Sequence, residues 1–237
     1  MGAVAAPAYQ LVENILIVAT ETNNNGSSVQ WPSSEKSIND QQHHQLYQAC
    51  LPLFLELLKK EQLDHGMLPL LLDVYIPLAA WIADRHRHTP VIIGINGAQG
   101  SGKSTLSKIL NLLLSQAFHK SVLELSIDDL YLSQRDRQQL AENIHPLLKV
   151  RGVPGTHDVA LANDILEKAM RSSAGTDIQT PVFDKARDDL SPEDEWRHCK
   201  TPIDIILFEG WCVGANAQAE NELTQPVNYL EVNEDPD

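Results

Sequence analysis

The sequence predicts an α/β domain, a doubly wound and mainly parallel sheet with an N-terminal helical extension. Three observations predict it. The β-branched run Val91-Ile92-Ile93-Gly94-Ile95 leads into a glycine-rich turn and then an amphipathic helix. Two further apolar runs, over residues 121–127 and 203–208, alternate with helical segments. Upstream, residues 41–88 read as helices.

The elements follow in chain order. Residues 1–40 are expected to be weakly structured. Asn23-Asn24-Asn25-Gly26-Ser27-Ser28 is a polar loop, and Pro32-Ser33-Ser34 follows it. In the helical extension, 41–88, Leu46, Cys50, Leu53 and Leu57 repeat near helical spacing, and 68–83 continues apolar. Asp84-Arg85-His86-Arg87-His88 then reads as a solvated helix end. The remaining domain is placed at 89–237. After the glycine-rich turn, Leu106, Ile109, Leu110 and Leu113 fall at i, i+3, i+4 and i+7, one face of a helix. Helices are expected near 134–144 and 159–170, a short strand near 180–183, and the last strand over 203–208.

Composition narrows the function. The chain has 237 residues, 43% of them hydrophobic, which suits one domain with a proper core. Its formal net charge of -14 argues against nucleic acid and anionic membrane surfaces as partners, because both demand basic surface. Cys50, Cys199 and Cys212 are an odd number without framework spacing, which predicts free thiols in a reducing compartment. No apolar run of about 18 residues is expected to span a bilayer. These features predict a cytoplasmic protein whose partner is a small molecule; they leave its oligomeric state open.

Gly97-Ala98-Gln99-Gly100-Ser101-Gly102-Lys103-Ser104 matches G-x-x-x-x-G-K-[ST] in full, with Thr105 next in the helix. The glycines let the backbone curl so that successive N–H groups point at phosphate oxygens. The helix that begins there adds its dipole and its unpaired N–H groups. Lys103 is placed to reach the β- and γ-phosphates and Ser104 to ligate Mg²⁺, so the predicted cofactors are ATP and magnesium. A chance match in a chain of this length is on the order of 1%, and the strand-before, helix-after context lowers it further.

Phosphoryl transfer asks for carboxylates on the metal side and on the acceptor side. The run 121–127 ends in Asp128-Asp129, and the run 203–208 ends in Glu209-Gly210. Ligands of open α/β sheets bind at the carboxyl ends of strands, so both sets are expected to face the loop.

Five ordered segments carry a resemblance: residues 97–105, Ser126-Ile127-Asp128-Asp129-Leu130-Tyr131-Leu132, Arg151-Gly152-Val153-Pro154-Gly155-Thr156-His157-Asp158, Phe183-Asp184-Lys185 and Phe208-Glu209-Gly210-Trp211. Together they resemble the D-glycerate 3-kinase type of P-loop kinases, itself similar to uridine kinase, phosphoribulokinase and bacterial pantothenate kinase. The resemblance covers roughly 90–215. It implies the P-loop NTPase fold. It also implies Asp128 as general base and a second group on the metal side with Glu209 and Ser104. The segment 151–158 becomes the loop that closes over the acceptor. Asp129, Tyr131, Arg151, Thr156, His157 and Asp158 are then placed around that acceptor, and Lys185 against the transferring phosphate. A bidentate guanidinium at Arg151 would suit a carboxylate or a phosphate.

Two departures stand out. After Phe183-Asp184-Lys185 the family continues with a Gly/Asn/Arg-rich stretch, where this chain reads Ala186-Arg187-Asp188-Asp189-Leu190-Ser191-Pro192-Glu193-Asp194. Family members also continue past the Glu-Gly-Trp motif with further helices and a strand. The domain is therefore expected to be shortened at its C-terminus: strand 203–208, apolar along its whole length, reads as buried on both faces and flanked by neighbours, and a largely polar 216–237 is expected to leave an exposed apolar sheet edge. The expected activity is ATP-dependent phosphorylation of a hydroxyl on a small metabolite, a hydroxy acid such as D-glycerate. A nucleoside or pantothenate kinase, or an ATP-binding protein without turnover, are the alternatives.

Overall fold

The structure is a computed structural model that describes residues 15–19, 29–31, 38–171, 175–216, 219, 221, 224, 226 and 229–233. Its centre is a five-stranded sheet in the order β2-β1-β3-β9-β4. Strand β3 (Val91–Gly97) and β4 (Val122–Ser126) each pair in parallel with β9 (Ile205–Gly210). Strands β1 (Ile15–Ala19) and β2 (Val29–Trp31) extend the sheet on the β3 side in antiparallel fashion. Two small antiparallel pairs stand apart: β5 (Asp177–Thr180) with β8 (Arg197–Lys200), and β6 (Phe183–Asp184) with β7 (Asp189–Leu190).

Among the described residues, the helices that accompany the strands include α1 (Asp40–Lys60), α2 (Ile76–Arg85), α3 (Lys103–Gln116), α4 (Gln134–Asn143), α5 (Val159–Arg171) and the short α6 (Tyr229–Asn233). Local chemistry sets their ends. Asn39 caps α1 by accepting from the Gln42 N–H at 2.9 Å, while its own N–H donates to the Gln42 side chain, a reciprocal capping box. Ser133 caps α4 through the Asp136 N–H. A π turn, Leu71–Tyr75, precedes α2. Pro77 has no N–H to offer the Asp73 carbonyl, and the helix widens where that bond is missing.

Both sheet faces are covered. On one, Val91, Ile93, Ile95, Ile205 and Leu207 join the buried residues of α1, α2 and α3 in a single cluster that includes Trp81 and Phe54. On the other, Leu123, Leu125 and Ile206 pack with Ile165 and Ala169 of α5. Alternation along β3 and β9 thus feeds two cores, as a strand buried on both faces requires.

The structure revises several expectations. Within 1–40, expected to be weakly structured, the apolar run Ile15-Leu16-Ile17-Val18-Ala19 forms β1 and pairs with β3 along its length. The fold remains α/β with a parallel centre, but one flank is antiparallel. The buried residues of the helical extension share one cluster with α3 and the sheet. Its buried stripe is Cys50, Phe54 and Leu58 rather than Leu46, Cys50, Leu53 and Leu57, since Phe54 and Leu58 continue from Cys50 at i+4 steps. The helical stretch His65–Arg85 is long and apolar enough, by length and composition, to cross a membrane; 61% of its apolar window is buried inside the fold. The supposed solvated end of that stretch is engaged: Arg85 lies over the Trp81 ring, and His86 contacts Asp204 and Lys120. As expected, β9 lies between β3 and β4, which accounts for its apolar run on both faces.

Candidate phosphate and metal site

The carboxyl ends of the three parallel strands converge. The register pairs Ile95 with Glu209, Asn96 with Gly210 and Ser126 with Glu209. The end of β3 that opens the glycine-rich loop and the end of β4 that opens Asp128-Asp129 therefore flank Glu209. Asn96 adds a clamp, its Nδ2 donating to the Val213 carbonyl beyond β9.

Within the loop, Gly100 and Gly102 have φ of 77° and 91°, the left-handed region that favours glycine. A Cβ added at either would meet nothing within 4 Å, so the loop surrounds open space. Ser101 N donates to Ala98 O at 3.2 Å. Lys103, first residue of α3, folds back and donates from Nζ to the same carbonyl at 2.9 Å. Ala98, Gln99 and Gly100 are exposed. The Ser101 hydroxyl is buried without a hydrogen-bond partner. Thr105 sits in the first turn of α3. This is a concave, donor-rich loop at a helix N-terminus, with a cation laid across it, and it fits a polyphosphate.

Ser104 Oγ donates to Glu209 Oε1 at 2.9 Å, and Ser126 Oγ donates to the same oxygen at 2.7 Å. Ser126 also accepts from Asp128 N at 3.3 Å. A chain of hydrogen bonds thus joins Glu209, which is nearly buried, to the Asp128 backbone. Among the described residues no group of three or more His, Cys, Asp and Glu side chains could hold a metal ion. The Ser104–Glu209 pair fits Mg²⁺ instead, which takes one or two protein ligands and fills its octahedron with phosphate oxygens and water. Ser104, Ser126, Asp128, Asp129, Lys185, Arg197 and Glu209 line one cleft of about 250 Å³.

The two adjacent aspartates separate clearly. Asp128 is partly exposed and accepts from Lys185 Nζ at 2.7 Å and from the Tyr131 hydroxyl at 3.3 Å. Burial, followed by the charge of Asp128, pushes the Tyr131 phenol up to about 12, so it remains a donor. Asp129 is inward. It accepts from Phe183 N at 3.1 Å and from Arg197 Nη1 at 2.9 Å, tying the segment after β4 to β6 and β8.

The segment 151–158 is brought close to these groups, but its residues differ in role. His157 stacks on Tyr131 with centroids 4.4 Å apart, and its Nε2 is buried without a partner. Burial lowers its pKa, with Asp128 opposing that shift. Thr156, placed at the acceptor by resemblance, is fully buried and closes its own turn by donating to Val153 O at 2.6 Å. Asp158 caps α5 by accepting from Leu161 N at 2.8 Å. Both side chains therefore also hold the local backbone in place. Arg151 points to Asp188, with Nη1–Oδ1 at 2.5 Å.

Three participants escape sequence reasoning. Ser126 lies inside a quoted motif but carries no signal beyond its place. Arg197 stands in an unremarkable polar strand. Arg137 is fully buried in a helix that reads Gln-Arg-Asp-Arg-Gln-Gln-Leu-Ala-Glu-Asn, where nothing distinguishes it from the solvated Arg135.

No protein-family model matches the chain. Among curated proteins, an uncharacterized kinase of Schizosaccharomyces pombe, mug58, is 37% identical over 132 residues, 53% of this chain and 47% of its own length. The probable ATP-dependent kinase TDA10 of Saccharomyces cerevisiae is 36% identical over 156 residues, 61% and 52% of the two chains. The solved D-glycerate 3-kinase of Cryptococcus neoformans superposes with a TM-score of 0.54 at 28% identity, covering 62% of this chain and 54% of that one. The fold is that of the P-loop kinases. The resemblance to the glycerate-kinase type is borne out by these relatives. The chain spans about half the length of the relatives it matches.

Proposed function

We propose that this chain transfers the γ-phosphoryl group of ATP to a hydroxyl of a small hydroxy acid such as D-glycerate. One observation carries the reading: a single cleft is lined by Ser104, the last residue of the glycine-rich motif, with its partner Glu209 and, across Ser126, by the Asp128–Lys185 pair. The kinase names of the relatives support it, and the D-glycerate 3-kinase neighbour supports the acceptor class.

When bound, ATP supplies the phosphoryl group, and Mg²⁺ held at Ser104 and Glu209 supplies counter-charge to its oxygens. The residues of the chain divide the remaining work. The loop N–H groups and Lys103 orient the phosphates, with Lys103 exchanging the Ala98 carbonyl for a phosphate oxygen. Lys185 leaves Asp128 for the charge that develops on the transferred group. Asp128, so freed, accepts the proton of the attacking hydroxyl while Tyr131 holds its other oxygen. His157, kept neutral by burial, stacks behind Tyr131 and keeps that ring in place.

The test is ADP formation with Mg·ATP, with and without D-glycerate and a panel of other hydroxy acids, nucleosides and pantothenate. ADP that depends on a hydroxy acid supports the reading. Tight ATP binding with no acceptor-dependent ADP makes the chain a nucleotide-binding protein without turnover.

A further inference from the structure

The stretch after Lys185, where the sequence departs from the glycerate-kinase pattern, carries an aspartate with an uncommon conformation. Asp188 is a non-glycine residue at φ 56°, in the turn between β6 and β7. Such residues persist where the surroundings over-determine them. Here the surroundings are two guanidinium groups. Asp188 Oδ1 accepts from Arg151 Nη1 at 2.5 Å, and Oδ2 lies 3.1 Å from Arg137 Nη2. Arg137 also donates to the Asp188 carbonyl.

Arg137 is the fixed member. It is fully buried, and its other donors go to Leu132 O at 3.1 Å and Lys149 O at 3.2 Å. Those carbonyls lie just past the Asp128–Tyr131 segment and two residues before Arg151. Arg151 is the free member, with about a third of its side chain exposed. Its Nη1 is taken by Asp188 and, at 3.4 Å, by Lys185 O. Among the described residues none is paired with its Nη2 or Nε. Its guanidinium lies 5.8 Å from the Phe183 ring centroid and lines a cavity of about 870 Å³ against α4.

We propose that Asp188 is a positioning residue: anchored by Arg137, it orients Arg151 so that the open edge of its guanidinium receives the acceptor's carboxylate. An exposed ion pair would not hold an orientation, because two mobile side chains meet in water. This pair is different, since its carboxylate is pinned from the far side by a fully buried cation. Burial pushes the Asp188 carboxyl up, but hydrogen bonds from Arg151 and Arg137 outweigh it and hold it below the usual range, so it stays charged. The inference rests on the kinase reading with an anionic acceptor.

Asp188→Asn keeps the shape and the tolerance for positive φ while removing the charge. With D-glycerate as acceptor and the full chain as enzyme, it should raise the D-glycerate KM about tenfold or more and leave the ATP KM within about twofold. In an Arg151→Ala background the same substitution should change the D-glycerate KM no further, because an aspartate that acts through Arg151 has nothing left to orient. NMR of the arginine side chains gives a readout independent of turnover: the Arg151 Nη signals should be slow to exchange in the parent chain and lose that protection in Asp188→Asn. An unchanged D-glycerate KM in the variant overturns the proposal even if its melting temperature falls, since that pattern is purely structural. So does an effect that persists undiminished without Arg151, or Arg151 signals insensitive to the substitution. Absence of ADP formation with D-glycerate and with every other hydroxy acid of the panel in the parent chain overturns the kinase reading, and the acceptor role of Arg151 with it.

Discussion

The carboxylate of Asp128 meets Lys185 Nζ, which can be exchanged for substrate, and the Tyr131 hydroxyl, whereas that of Asp129 is consumed by a backbone N–H and Arg197. The sequence leaves these neighbours equivalent; only the backbone turn Ile127–Asp129 points one outward and the other in. Asp128→Asn should therefore cut turnover by roughly 10²–10⁴-fold, the usual worth of general acid–base help, with ATP affinity within a few-fold by calorimetry. Asp129→Ala should leave the Phe183 N–H unpaired and show mainly in denaturant unfolding, at about 1–3 kcal/mol. Normal turnover in the first variant, or a stability-neutral second one, would reverse the assignment. Lys103→Ala should weaken ATP binding and lower turnover by at least about 10²-fold, since a preorganised charge at the phosphates is lost. The phosphate loop was legible because its chemistry is local, eight residues at fixed spacing. The backbone contacts of Thr156 and Asp158 were not legible, because a motif records which residues recur and not which turn or helix end each of them holds.

At the scale of elements, buried Arg137 joins three segments that are far apart in the chain, the end of the Asp128 segment, the approach to Arg151 and the β6–β7 turn. Arg137→Met keeps the bulk but leaves three carbonyls and the Asp188 charge without it. A loss of about 3–5 kcal/mol is expected, as for breaking a buried ion pair, together with raised acceptor KM. Denaturant melts check the first and steady-state kinetics the second. Gly210 sets a different constraint. A Cβ there would lie 2.3 Å from Ile127 Cγ2, so Gly210→Ala must push the Asp128 turn away from β9. Overpacking of this kind costs about 1–3 kcal/mol. The parallel strands and α3 were legible from periodicity, because burial on one or both faces imprints the pattern directly. Strand β1 is not legible locally, since its five apolar residues stand next to the polar sequence 20–28 and its partner β3 is more than 70 positions away. Such pairing is invisible to any local window.

For the whole molecule, His157 and Asp188 are among the groups that make the stability depend on pH. His157 is buried, with its folded pKa below the ordinary 6.5. The unfolded chain binds a proton first as the pH falls, so this contribution is complete above 6.5 and drains away below it. Asp188 has its folded pKa below the ordinary 3.8, so its contribution is present above 3.8 and is lost as the pH falls through the lowered value. Thermal melts should thus be flat from pH 8 to 7, decline first below about 6.5, and decline again in the acid range. His157→Gln should shrink the first decline, which partly buried His86 shares, and leave the acid one; an unaltered profile would show that the His157 imidazole is solvated. The same melts bear on the sheet, since β9 has neighbours on both sides and its apolar run is no sticky edge. The tryptophans offer an optical route into the cleft. Trp81 is sealed in the core beneath Arg85, Trp196 is half-buried with its indole N–H on Ser191 O, and Trp211 stands 46% exposed two residues past Glu209. Emission from Trp211 should therefore be red-shifted and open to acrylamide, and Mg·ATP should change that component while the Trp81 component stays constant. The chain thus carries a built-in fluorophore for nucleotide arrival, one that Trp211→Phe should silence without touching the phosphate loop.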